Sequence, residues 1–461
     1  MSFRHSFRLA VASVGALAAI LVVSPPLSNG NPTAPSSSSP SVAPAPDPLL
    51  APYPADFALT PLSADPIQPV TKPAPGTPQT DPAYGTQLYR ATNAEDGEGG
   101  RLRHEYSRRQ AFNADQSRYL AQDARGYWHL YDGAALTHLA VLPDFAGDCE
   151  PIWHPTDPGK LYFTSRNGGT MWWLYDIATE TKEVVFDFTG QTPWPNAASF
   201  STQGEGTTSA DGRYLSLMAT TYHEATQTKT IYGLVTLDLQ ERRIVGTLDA
   251  ADFPIPHTEP NHISTSPSGS YAVPSWEESG GGTWAYTLDF GQSRKLISTS
   301  EHSDLAFGPN GEDYLVAADY SRDAIVAVDL ATAEATPLHP IYPASGEGYA
   351  LHISGQAFDK PGWVVVSTYA DYSDYNTTYP SATLRPEYRK VWLMELKPDG
   401  RKLNVAHTQV DWEKGGGDYF LEPQASASRD LSRIIFASDF GTGTIESFIV
   451  PIPAEALGGT S

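Results

Sequence analysis

The sequence predicts an all-β chain folded as a β-propeller of seven four-stranded antiparallel blades around a polar central channel. Three observations carry that expectation. A turn of one kind recurs seven times: Asn113-Ala-Asp115, Thr156-Asp-Pro-Gly159, Ser209-Ala-Asp211-Gly212, Ser266-Pro-Ser-Gly269, Gly308-Pro-Asn310-Gly311, Asp359-Lys-Pro-Gly362 and Ser428-Arg-Asp430. Most of these feed an apolar run such as Trp363-Val-Val-Val366 or Arg433-Ile-Ile-Phe436. Runs rich in β-branched residues, Ile231 to Leu237 and Ala324 to Val328, alternate with Gly, Pro, Asn and Asp turns, and long helical periodicity is absent. Most units also close on an apolar-apolar-Asp step or close to it, as in Leu130-Tyr-Asp132, Leu174-Tyr-Asp176 and Ala327-Val-Asp329. Repeats of roughly 40 to 70 residues suit blades, because one four-stranded sheet cannot bury both faces alone and ring closure removes most edges.

Taken in order, the chain opens with Arg4, His5 and Arg8, an apolar run from Leu9 to Val23, and Ser28-Asn-Gly30. Residues 1–30 read as a secretory signal peptide or an uncleaved N-terminal anchor. The apolar run is short of the ~20 residues that span a bilayer. Residues 31–80 are rich in Pro, Ala and Ser and read as an extended, disordered linker. Residues 81–455 form the propeller as a single domain, and 456–461 a tail. The formal net charge of −23, from 53 acids against 30 bases, excludes nucleic acid as a partner. The single cysteine, Cys149, makes no internal disulfide and reads as a packed residue. An exported monomer is expected, periplasmic, on the cell surface or secreted.

In a propeller, residues just before each repeat turn converge on one end of the channel. That rule collects Arg109, Glu150, Glu205, His262, Asp304, His352 and Glu422, with His104, Tyr106, Arg108, Asp148, Gln203, His257, Glu259, His302, Gln356 and Gln424 beside them. Two uses of such a ring stay open: acids, histidines and arginines that satisfy one another around a wet channel, or a site. The three histidines on successive blades, His262, His302 and His352, favour a site, since neutral imidazole is both a base near pH 7 and a metal ligand.

A second feature is an insertion in the sixth unit, Tyr369, Asp371, Tyr372, Asp374 and Tyr375 followed by Asn376-Thr-Thr378 and Tyr379. Tyrosine faces stack on sugar rings while carboxylates and amides bind hydroxyls, so Tyr369 and Tyr372 join His104, Glu150, Glu205, His257 and Gln356 as candidate substrate contacts.

The opening Gly85-Thr-Gln-Leu-Tyr-Arg90, then His104-Glu-Tyr106, Ala111-Phe-Asn-Ala-Asp115 and Gly126-Tyr-Trp-His-Leu-Tyr-Asp132, resembles the start of the oligogalacturonate lyases, and the repeat turns are similar to those of the Tol-system propeller TolB. The resemblance implies a seven-bladed propeller that cleaves uronic-acid-containing oligosaccharides by β-elimination. In that chemistry a cation or Arg neutralises the uronate carboxylate while a base takes the adjacent proton. His262 is then the base, Arg108 or Arg109 the carboxylate clamp, with Tyr106 beside them. His302, His352, Asp304, Glu422 and Gln424 are the candidate ligands of a divalent metal. Where the family carries a His-Pro-His pair, this chain reads Glu422-Pro-Gln424, which replaces histidine ligands and shifts the expectation from manganese towards calcium. The alternative is a non-catalytic TolB-like binding or scaffold propeller that holds a glycan or peptide of the cell envelope.

Overall fold

The computed structural model describes residues 47–300, 302–341, 349–371, 385–411 and 418–458, with 370 and 371 by backbone alone. The expected signal segment, residues 31–46 of the expected linker, Tyr372 and the rest of the Tyr-rich insertion up to 384, and residues 459–461 lie outside these.

Four of the seven repeat turns do the same local job. Ser209, Ser266 and Ser428 donate their backbone N–H to the carbonyls of Tyr214, Tyr271 and Arg433, five residues on, at 2.8–2.9 Å. The serine hydroxyl accepts the returning N–H of that same residue. Asn113 repeats both bonds with Arg118. Short polar side chains that bond their own backbone are what such turns need, and each one launches a hairpin.

Among the described residues the strands form five four-stranded antiparallel sheets and one nine-stranded sheet, an all-β, propeller-like arrangement. The four-stranded sheets span 152–187, 199–249, 262–297, 303–340 and 349–407. In the ninefold sheet, Ser426–Ala427, Arg433–Ser438 and Ile445–Pro451 are extended by Gln87–Arg90 and Pro78–Thr80 from the other end of the chain. A short parallel register, Ile445 with Arg101 and Glu446 with Leu102, joins this group to Arg101–Arg103, Arg118–Asp123, Tyr127–Asp132 and His138–Ala146. Helical structure among the described residues is confined to 3-10 turns of three or four residues. No helix there is long and apolar enough to cross a membrane.

The core lies between successive sheets rather than in one centre. Trp172 and Phe188 of one sheet pack with Leu215, Leu217 and Val235 of the next, and Val316 and Ile325 pack with Ile353, Val366 and Trp392. A sheet covered on both faces explains why Ala324–Asp329 reads as a continuous apolar run instead of alternating. Each large side chain so buried contributes about 2–3 kcal/mol.

The linker expectation is overturned for residues 47–80. Leu49 and Leu59 are buried, Pro61 bridges to Leu403, and the Tyr53 hydroxyl donates to the Pro451 carbonyl at 2.8 Å while accepting from Gln87 N–H. Asp47 pairs with Arg433 at 2.6 Å, Lys72 with Glu446, and the buried Lys390 ammonium donates to the Ser63 carbonyl. Proline-rich composition signals poor secondary structure; it does not prevent an extended strap from satisfying its polar groups on a finished surface. The tail expectation fails for the same reason, since Ala456 and Leu457 sit in the core beside Leu59.

Candidate functional site

Three residues beside the innermost strands adopt strained backbones. Glu150, Gln203 and Gln424 have φ of 50°, 72° and 42°, a left-handed region that costs a non-glycine residue on the order of 1 kcal/mol. Adjacent inner strands come very close: a Cβ on Gly206 would stand 1.9 Å from the Ile263 carbonyl oxygen, and one on Gly355 2.1 Å from that of Leu305. Only glycine permits that approach.

Two of the expected ring acids hold these strands together. Glu150 accepts from Thr202 N–H at 2.8 Å, the Thr202 hydroxyl at 2.9 Å and Gly204 N–H at 2.7 Å. Asp304 accepts from Gly355 N–H at 2.7 Å and from the Gln356 amide at 3.0 Å. Burial raises the proton affinity of both, Asp304 to about 6. Glu150, Asp304 and Gln356 are therefore stitches, not ligand contacts. Arg109 is likewise spent, on Glu105 at 3.0 Å, the Gly206 carbonyl, and the Pro151 carbonyl at 2.9 Å, which removes it as a carboxylate clamp.

The three histidines do come together, around Arg108. Its guanidinium donates to Glu205 and, at 3.1 Å, to His262 Nδ1, and its charge lowers the proton affinity of His302 and His352, where burial is the larger cause for His352. For His302 burial leads and the neighbouring His352 follows, bringing it to about 3. His262 is also held neutral, by burial first and Arg108 second. Because Arg108 fills the Nδ1 lone pair of His262, the ring proton is on Nε2. Its basic nitrogen is thus taken up by Arg108, against the expected role as base.

His352 Nε2 stands 2.6 Å from Glu422, and its Nδ1 stands 2.9 Å from His302 Nδ1 and 3.4 Å from the Tyr106 hydroxyl. With Glu422 accepting from Nε2, His352 offers its Nδ1 lone pair to His302 and Tyr106. Tyr369 stacks on the His352 ring at 5.1 Å, so it supports the cluster from beneath. His104 donates from Nε2 to the Gln424 carbonyl at 2.7 Å, and the Gln424 side-chain oxygen accepts from Arg103 at 2.6 Å. His257 is elsewhere: it is exposed and its N–H bonds the Ala250 carbonyl at 2.8 Å.

Above this layer opens a cleft of about 180 Å³, lined by Arg101, Arg103, His104, Glu105, Tyr106, Gln122, Asp148, Gln203, Gly204, Glu205, Tyr419 and Phe420. Of the expected site residues, Tyr106, His104 and Glu205 reach it; Arg108 and the other histidines lie behind. Glu205, 27% exposed, joins the two layers. Glu105 is the most distinctive group in the cleft. Burial pushes its carboxyl up to about 7 against the pull of Arg109, and the nearby Glu150 and Asp148 add to the rise. Burial also raises Asp148 and keeps Tyr106 and Tyr419 protonated far above neutral pH. Arg101 lies over the Phe420 ring, 3.3 Å from its centroid. The turn-based rule missed Glu105, Tyr419 and Phe420 because they sit outside its four-to-six-residue window; the adjacent His104-Glu-Tyr106 was the available signal.

Solved structures share this architecture. Oligogalacturonate lyase in complex with manganese superposes with a TM-score of 0.56 at 16% identity, over 82% of this chain and 96% of its own. Oligogalacturonate lyase from Vibrio parahaemolyticus gives 0.56 at 14% identity, over 82% and 97%. This chain has the oligogalacturonate lyase fold. TolB from Acinetobacter baumannii superposes at only 0.32, over 62% and 63% of the two chains at 16% identity. No family model and no curated protein sequence matches.

Among the described residues no three His, Cys, Asp or Glu side chains converge as a metal site. Of the five expected ligands, Asp304 is spent on Gly355 and Gln356, Gln424 on Arg103, and Glu422 on His352. Calcium takes six to eight oxygens, more than Asp304, Glu422 and Gln424 supply between them.

Proposed function

We propose that the protein is an exported seven-bladed propeller whose cleft binds uronic-acid-containing oligosaccharide and cleaves it by β-elimination. The blade count is supported by the seven repeat turns and by Gln87–Arg90 extending the C-terminal strands, and export by the basic-then-apolar N-terminus. The observation that carries the chemistry is Glu105, a carboxyl with a proton affinity of about 7 in a cleft that also holds Arg101 and two protonated tyrosines. A base poised near the working pH is what removal of a carbon-bound proton requires.

Arg101 pairs with the uronate carboxylate, which makes the neighbouring carbon acidic. Glu105 takes that proton, a carbon–carbon double bond forms as the glycosidic carbon–oxygen bond breaks, and Tyr419 donates its proton to the leaving oxygen. Phe420 and Tyr106 offer ring faces for the sugar. Arg108, with Glu205 and His262, fixes the floor on which Tyr106 rests; the Arg108 guanidinium lies 5.6 Å from the Tyr106 ring.

The mutual pairing of the ring supports a second reading, a binding module without catalysis. Incubating the purified protein with a panel of uronic-acid glycans and following the absorbance of the unsaturated product separates the two. The lyase reading expects product from at least one glycan. Glycan binding with no product across the panel leaves the binding module.

A further inference from the structure

We propose that Arg166, Lys229 and Tyr222 form a further, carboxylate-binding sugar subsite on the rim of the cleft, which makes the protein select longer acidic oligosaccharides over the shortest ones. The inference rests on the cleft being the glycan site. At about 180 Å³ the cleft is smaller than the roughly 300–1,000 Å³ of pockets that enclose a drug-sized ligand. The rest of a sugar chain must therefore lie across its rim.

Strands Tyr214–His223 and Thr228–Asp238 run for 10 and 11 residues, against 5 and 6 for Lys160–Thr164 and Met171–Asp176 in the preceding sheet. Residues 215–220 are buried but 222–230 are exposed throughout, so the hairpin projects past the core. Its register pairs Tyr222 with Lys229, which puts both side chains on one face. That face leans on the cleft: the Lys229 ammonium donates to the Gln203 side-chain oxygen at 2.9 Å and to Glu259 at 2.7 Å, and Gln203 is part of the cleft lining. An ammonium has three N–H donors, so one remains for a ligand.

Arg166 reaches the same wall from the 152–187 sheet. Its side chain lies over Gly147, where an added Cβ would meet Arg166 Cγ at 3.0 Å and Nε at 3.1 Å. Gly147 precedes Asp148 and accepts from the Gln122 amide at 2.9 Å, and both Asp148 and Gln122 line the cleft. Burial raises the proton affinity of Asp148, while Arg166 and then Lys229 draw it back down, so the two cations share one wall. Arg101, lowered by burial, has Asp418 and Asp123 as its electrostatic partners instead, which makes it a separate cationic point. Arg166 is exposed and, among the described residues, makes no hydrogen bond or ion pair. A guanidinium with its fork open pairs with a carboxylate through two parallel N–H donors, and the Tyr222 ring, 52% exposed, offers its face to a sugar. In a chain of net charge −23, cations gathered on one wall draw in an anionic chain.

Calorimetry on the full chain with digalacturonate and hexagalacturonate tests this, in the Glu105→Gln background so that the sugars stay intact. The expected result is hexagalacturonate bound at least about tenfold more tightly than digalacturonate, an advantage that shrinks as salt is added. Arg166→Ala combined with Tyr222→Ala, both at exposed positions outside the core, brings the ratio of the two affinities to about one. Arg242→Ala, at the other end of the same sheet and paired with Glu183 at 2.7 Å, keeps the ratio. Equal affinity for the two sugars, no binding of hexagalacturonate up to ~1 mM, or an advantage that the double variant retains overturns the proposal. Absorbance of the unsaturated product, followed with the unsubstituted protein, reports on the lyase separately: product without length-dependent binding sinks this inference alone, and length-dependent binding without product sinks the lyase alone.

Discussion

Glu150 and Glu105 are glutamates at the same mouth, both lifted in proton affinity by burial, and they differ in what faces them. Glu150 is met by three donors from the next inner strand; Glu105 has Arg109 on one oxygen and the cleft before it. A raised proton affinity therefore marks burial, while open space beside the group marks a place for chemistry. Other ring members fall on either side of this line, with Asp304, Arg109 and Gln424 on the stitching side and Tyr106 and Glu205 on the open side.

The largest expected effect is on the stitching side. Glu150→Ala leaves two backbone N–H groups and a hydroxyl without their acceptor, at a cost of about 3 kcal/mol or more. Urea denaturation measures it, and a loss under ~1 kcal/mol would erase the distinction between the two glutamates. Glu105→Gln keeps an acceptor for Arg109, so stability changes by less than about 1 kcal/mol, while turnover falls on the order of a hundredfold or more if Glu105 is the base. The wild-type rate constant kcat/KM then rises with pH through about 7 as Glu105 ionises, and the Gln variant lacks that limb.

Stability carries the opposite pH sign. Glu105 and Asp304 bind protons more tightly in the folded chain, with affinities moved from 4.5 to about 7 and from 3.8 to about 6. Their stabilising contribution is complete below those ordinary values and is lost as pH rises through about 6 to 7. His302, moved from 6.5 to about 3, contributes above pH 6.5 and loses it as pH falls towards 3. The smallest effect is expected at His257, exposed and away from both layers: His257→Ala changes stability by no more than ~0.5 kcal/mol and leaves kcat/KM unaltered in the same glycan assay.

How much of this was legible depends on how local the cause is. The turns were readable because Ser209, Ser266, Ser428 and Asn113 act on residues five places away. The convergence of His262, His302 and His352 was readable because repetition places equivalent positions together. The ring rule failed at His257, five residues too early and on a loop bonded to Ala250, and it could not separate Arg108 from its neighbour Arg109, whose partners come from residues 151 and 206. The Pro-rich strap misled for a different reason: its partners Arg433, Lys390 and Pro451 are more than 300 residues away.

By itself, then, the sequence determined the all-β architecture, the repeat and the set of ionisable side chains gathered at one end, since hydrophobic alternation and turn chemistry act over a few residues. Which carboxylate is sealed by backbone donors and which looks onto a cleft was decided only by tertiary structure. Desolvation and hydrogen-bond satisfaction depend on what neighbouring strands place within about 3 Å, and no local pattern records that.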